Sequence, residues 1–167
     1  MKYIFIDPSG NFEDGKGHTG IATMIDDNWS TLKVTSLAAK NYKTRLDYWK
    51  AIITVVRTLI AVAHNNATVI IESFQIRTNG FLIGKMPETI MLIGAIIWEL
   101  EQVDIPYKFQ TPTQAKSRFK DESLPRYIPN LELKANKRYY LNGKIINDHV
   151  RDALKHLLYF KRYGGNK

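Results

Sequence analysis

Between Thr44 and His64 the apolar residues Leu46, Trp49, Ile52, Ile53, Val56, Leu59, Ile60 and Ala63 follow one another in steps of 3, 3, 1, 3, 3, 1 and 3. That period belongs to an amphipathic helix with one buried stripe. Past Asn65-Asn66 comes ATVII (Ala67–Ile71), a buried-looking strand that carries no charge until Glu72. The chain opens on a similar run, KYIFI (Lys2–Ile6), rich in β-branched and aromatic residues and stopped by the turn signal Asp7-Pro8-Ser9-Gly10. Two apolar strands separated by an amphipathic helix restrict the chain to helices packed on a sheet with parallel pairing.

The other elements complete that pattern. After Gly15, Gly17 and Gly20, the runs GIATMID (Gly20–Asp26) and TLKVTSL (Thr31–Leu37) flank Asp26-Asp27-Asn28 and read as a hairpin or meander. Met86-Pro87-Glu88 opens a helix toward Val103 that is apolar on nearly every side, through Ile90, Met91, Leu92, Ile93, Ile96, Ile97 and Trp98. PYKFQ (Pro106–Gln110) reads as a third short strand, and Thr111-Pro112-Thr113 starts a short helix toward Phe119. Residues 120–145 are basic and broken by proline, and no element is assigned there. Asn147-Asp148 caps a last helix with Val150, Ala153, Leu154, Leu157, Leu158 and Phe160 on its apolar face. The expected class is α/β: three antiparallel strands, then parallel ones, in a mixed five-stranded sheet flanked by helices. At 167 residues, one domain spanning the chain is expected, with a basic irregular segment at about 120–145.

Composition narrows the chemistry. With no cysteine, disulfide scaffolds, Cys-ligated zinc, iron–sulfur clusters and a thiol nucleophile are excluded. Residues 1–107 hold 10 Lys and Arg against 11 Asp and Glu, whereas residues 108–167 hold 14 against 5. The whole excess behind the net charge of +8 therefore sits in the last third, which points to a polyanion on one face, although a basic balance also aids solubility. Lys108, Lys116, Arg118, Lys120, Arg126, Lys134, Lys137, Arg138 and Lys144, interleaved with Tyr127, Tyr139 and Tyr140, are the expected phosphate contacts. MKYIFID is too short an apolar start for a signal peptide, and Thr89–Trp98 falls well short of the ~20 residues of a membrane span. A soluble cytoplasmic protein without a membrane partner is expected.

Three acidic residues share a context. Asp7 and Glu72 each follow an uncharged run, Tyr3–Ile6 and Ala67–Ile71, and Asp152 lies in the first turns of the last helix. Two carboxylates at one sheet edge repel unless a cation is shared. Oxygen ligands suit Mg²⁺ or Mn²⁺, and two such ions about 4 Å apart form a phosphodiester-cleaving arrangement. Each residue alone has an ordinary reading: Asp7 in an Asx turn, Glu72 at a solvated strand end, Asp148 as a helix cap.

IFIDPSG (Ile4–Gly10), VIIESF (Val69–Phe74) and DHVRDALKH (Asp148–His156) together resemble the RuvC family of Holliday-junction resolvases, in the ribonuclease H-like superfamily. The set looks like the divergent resolvases that bacteriophages encode, which would place the protein in a host bacterial cytoplasm. The resemblance implies a metal-dependent endodeoxyribonuclease that nicks Holliday junctions and other branched DNA as a homodimer, using two Mg²⁺ or Mn²⁺ ions. It implies that Asp7 bridges both metals, that Glu72 holds one, and that Asp152 is the last acidic ligand. His149 stands where the family carries Asp or His, as a ligand or an activator of water, with Asp148 as the alternative. It also implies a dimer interface on the apolar helix, through Ile90, Ile93 and Ile97. The family inserts an aromatic into the junction from the region after the strand-end Glu, where the aromatic here is Phe74, and the loop Gln75–Gly84, with Arg77 and Phe81, is expected to project toward the DNA. His18, His64 and His156 show no ligand spacing. Competing readings are a ribonuclease H acting on RNA–DNA hybrids and a non-catalytic branched-DNA-binding protein.

Overall fold

The apolar run that opens the chain forms β1 (Lys2–Asp7), and the sheet grows outward from it on both sides. The computed structural model describes residues 1–13, 15–63, 66–74 and 86–164. On one side β2 (His18–Ile25) pairs antiparallel with β1, and β3 (Asn28–Ala38) antiparallel with β2. On the other, β4 (Ala67–Glu72) pairs parallel with β1, and β5 (Tyr107–Gln110) parallel with β4. The order β3-β2-β1-β4-β5 is the mixed five-stranded α/β sheet expected from the sequence.

Both faces of the sheet are covered, which is why β1 and β4 show no polar alternation. Ile4, Ile6, Ile21, Val69 and Ile71 face α1 (Arg45–Val62) and α2 (Met86–Glu101). Thr44 caps α1 by accepting from the Asp47 amide, and the predicted stripe is buried at Ile52, Val56 and Ile60 together with Tyr48. In α2, Leu92, Ile93, Ile96 and Leu100 are buried in the chain's own core, while Ile90, Met91 and Trp98 remain 45%, 54% and 64% exposed. Of the three residues expected at a dimer interface, Ile93 is thus a core residue and Ile97 is partly buried. No helix among the described residues is long and apolar enough to cross a membrane.

Phe5, Ala22, Met24 and Ile70 face the other way, against α4 (Asp148–Tyr159). Between β5 and α4 come α3 (Pro112–Lys116), a 3₁₀ turn (Asp121–Arg126) and a second antiparallel sheet of β6 (Leu131–Leu133), β7 (Tyr139–Leu141) and β8 (Lys144–Ile146). The segment expected to be irregular is therefore folded. Leu131, Tyr139, Leu141 and Ile146 point into the core beneath α4, while Glu132 and Lys144 stay exposed. Asn142 (φ 50°) and Gly143 (φ 77°) form the β7–β8 reversal, a two-residue hairpin with both central residues left-handed.

Candidate metal centre

Strand register brings four residues into one row across the sheet edge. Asp7 pairs with Gly20, Ile6 lies beside Ile71 so that Asp7 and Glu72 leave the sheet as neighbours, and Glu72 pairs with Gln110. The Pro8-Ser9-Gly10 turn after Asp7 is held from both helices on the far face. The Tyr48 hydroxyl donates to the Ser9 carbonyl at 2.9 Å and the Trp49 indole to the Gly10 carbonyl at 3.1 Å, while the Gly10 amide donates to Thr89 Oγ1 at 3.0 Å. Asp7 thus sits at a rigid corner.

α4 descends over this row. Asn147 caps it, accepting from the Val150 amide at 2.9 Å, so Asp148 is not the cap but an exposed first-turn residue. His149, Asp152 and His156, spaced by 3 and 4, share the face turned to the strand ends. His149 Nδ1 lies 2.7 Å from Asp7 Oδ2, and its ring stacks on His18 with centroids 5.7 Å apart. Each of Asp7, Glu72 and Asp152 offers a carboxylate oxygen within 4.8 Å of the others. Lys116, from α3, donates to Glu72 Oε1 at 3.1 Å and lies 2.8 Å from Asp152 Oδ2. Lys155 donates to Asp152 Oδ1 at 2.8 Å and reaches Asp121, which Arg151 also engages.

The charges in this cluster are strongly perturbed. Burial, with the Glu72 charge adding to it, pushes the Asp7 carboxyl up to about 6 against the pull of His149. Burial alone would depress His149, but the hydrogen bond and charge of Asp7 outweigh it and raise the imidazole above its usual value. Glu72 and Asp152 go the other way. Burial would raise both, yet His156 and Lys116 hold Glu72 below the carboxylate range, and Lys116 and Lys155 do the same for Asp152. Three carboxylates packed this closely repel, and Lys116 supplies the positive charge between two of them.

The whole fold has solved counterparts. A structure of Thermus thermophilus RuvC in complex with a Holliday junction substrate matches over 100% of this chain and 98% of its own, with a TM-score of 0.65 and 16% identity. A second Thermus thermophilus RuvC structure matches over 98% and 97%, with a TM-score of 0.60 and 17% identity. The fold is RuvC-like. No protein-family model and no curated protein matches the sequence.

The RuvC-like frame brings Asp7, Glu72, His149 and Asp152 together. Asp148 is not one of the three carboxylates that converge. The donor set is all oxygen, compact and half-buried, which suits a hard divalent cation. Lys116, expected on the DNA-facing surface, instead points from α3 into the carboxylates, where Glu72 and Asp152 both engage it. The remaining basic candidates, Lys108, Arg118, Lys120, Arg126, Lys134, Lys137, Arg138 and Lys144, are exposed. Lys134 lies 4.3 Å over the Tyr140 ring and Arg118 5.9 Å from that of Tyr163. Phe74 is 39% exposed just after Glu72, while Arg77 and Phe81 lie outside the described residues. Sequence reasoning missed Gln110, Lys155 and Asp121, and it passed over His156, whose spacing of four from Asp152 was the available signal.

Proposed function

We propose that this chain is a divalent-metal-dependent endonuclease that nicks four-way DNA junctions, a single nuclease domain of the type bacteriophages encode, acting in a bacterial cytoplasm as a homodimer. The observation that carries this reading is the convergence of Asp7, Glu72 and Asp152 at the strand ends of a RuvC-like fold. The solved counterpart was bound to a Holliday junction, which supports branched DNA as the substrate class here.

Asp7, Glu72 and Asp152 would hold Mg²⁺ or Mn²⁺, and such a cation supplies Lewis acidity for attack of water on phosphorus and charge stabilisation for the leaving 3′-oxygen. The chain's own residues prepare the site. Asp7 is fixed on its turn and held by His149, whose Nδ1 contact orients the ring and leaves Nε2 to accept or return a proton. Lys116 balances Glu72 and Asp152 and is long enough to follow a phosphate when the carboxylates are otherwise neutralised. The exposed basic residues from Lys108 to Lys144 would supply sequence-independent phosphate contacts, and the exposed Phe74 would meet the junction.

The deciding assay is incubation with Mg²⁺ of a synthetic four-way junction, a linear duplex and an RNA–DNA hybrid. Paired nicks with 5′-phosphate ends in the junction alone are expected. Cleavage of the hybrid with the junction left intact would replace this reading with a ribonuclease H one, and binding without nicks would make the protein a junction-binding module.

The dimer is proposed on the exposed row of α2, Ile90, Met91 and Trp98, with Ile97 at its edge. Such a row of large apolar groups is what a two-fold interface would cover, and symmetric nicking needs two sites. Trp98→Glu is expected to shift sedimentation at micromolar concentration from dimer to monomer. A monomeric wild-type protein would count against the assignment.

A further inference from the structure

Behind the three carboxylates lies a histidine that the proposed chemistry does not use. His156 is fully buried, with its Nε2 2.7 Å from Glu72 Oε2 and its Nδ1 2.9 Å from Gln110 Oε1. Gln110 is itself buried, and β5 fixes its backbone beside Glu72: the two residues pair in register and the Ser73 amide donates to the Gln110 carbonyl at 2.8 Å. The ring is therefore clamped at both nitrogens by neighbours on adjacent strands, inside a core where an unpartnered nitrogen would be costly.

Glu72 has a long side chain with several rotamers, and nothing in its strand-end position chooses among them. His156 makes that choice. With Oε2 bound to the imidazole, Oε1 is the oxygen left free of it, and Lys116 ties that oxygen, at 3.1 Å, to Asp152 Oδ2, at 2.8 Å. We propose that His156, braced by Gln110, is a positioning residue that locks the Glu72 carboxylate into the one orientation in which it can hold a cation together with Asp7 and Asp152. This rests on the reading of the acidic cluster as a metal centre. A partner that orients a metal ligand from behind is typically worth roughly 10- to 100-fold in metal affinity.

The test is calorimetric titration of Mn²⁺ into the wild-type protein and into His156→Leu, His156→Gln and Gln110→Met, with melting curves in chelator to confirm that each variant is folded. Leucine fills the space without a donor, whereas the glutamine amide can still reach Glu72. His156→Leu is expected to bind Mn²⁺ roughly 10- to 100-fold more weakly, and His156→Gln to recover most of that loss. Gln110→Met, which removes the brace without emptying the core, should weaken binding in the same direction by a smaller factor, and it carries the test if His156→Leu does not fold. Equal Mn²⁺ affinity in wild type and His156→Leu overturns the proposal while leaving the metal centre standing. Equal losses in His156→Leu and His156→Gln overturn it too, since they make the imidazole a space-filler. A wild-type protein that takes up no Mn²⁺ overturns the metal-centre reading itself, and the positioning role with it.

Discussion

Asp7→Asn is expected to abolish the proposed junction cleavage and, in chelator at pH 7.5, to make the protein more stable. The first half follows from the place of Asp7 among the three carboxylates of the proposed metal centre. The second follows from its burial. Only 5% of Asp7 is exposed, and burial with the nearby Glu72 charge pushes its carboxyl from 3.8 up to about 6. A carboxyl raised in the folded state binds its proton more tightly there than in the unfolded chain, so its contribution to stability is fully present below about 4 and is lost as pH rises through about 6. Above that range the ionised group costs the fold about 3 kcal/mol, from the size of the shift. Asparagine keeps the shape and removes the charge, while the loss of His149's partner takes back part of the gain.

The expected stabilisation is therefore about 2 kcal/mol at pH 7.5, shrinking toward zero at pH 4. Urea melts of both proteins in chelator at the two pH values measure it. A variant less stable than wild type at pH 7.5, or a difference that does not change with pH, would contradict the account, as would wild-type nicking by Asp7→Asn. The same cost in the wild-type protein is what a bound cation would relieve, which is the usual compromise of an active site that stores charge.

How legible this site was in the sequence depended on the distance over which each signal acts. Asp7 and Glu72 stood out because each follows an uncharged apolar run, Tyr3–Ile6 and Ala67–Ile71, so a local pattern marked them as strand ends. Asp152 was marked by its place in the first turns of the last helix and His149 by the resemblance to the RuvC family, with which their three-residue spacing on one helix agrees. Gln110 carried no such mark, because its role comes from pairing with Glu72 in a register that only the assembled sheet sets. Lys116 was assigned by its charge to the basic surface, yet in the fold it is paired with Glu72 and Asp152, carboxylates that only the assembled sheet and α4 bring within its reach. The segment 120–145 was unreadable by periodicity because strands of three residues are too short to show one, but Asn142-Gly143 was a legible hairpin signal within it.

Gly20 illustrates the same point at the level of the backbone and gives the second large effect. In the sequence it was one of three glycines in a permissive stretch. In the fold it pairs with Asp7, and the first turn of α4 rests directly on it. A Cβ there would lie 2.2 Å from the His149 carbonyl oxygen, 2.3 Å from its carbon and 2.7 Å from the Val150 nitrogen. All three are backbone atoms, so no rotamer change relieves the clash, and α4 must lift or β2 must bend. Either movement separates His149 from Asp7, now 2.7 Å apart, and carries Asp152 with it. Gly20→Ala is expected to lose about 3 kcal/mol of stability, at the upper end of overpacking costs, and to lose the rise in melting temperature that Mn²⁺ is expected to give the wild type. Gly143→Ala is the control. Its φ of 77° strains a side chain, but nothing lies within 4 Å of the added Cβ, so it should cost about 1 kcal/mol and keep the full Mn²⁺ response. If Gly20→Ala kept that response as well, the first turn of α4 would not need to touch the strand for the carboxylates to converge.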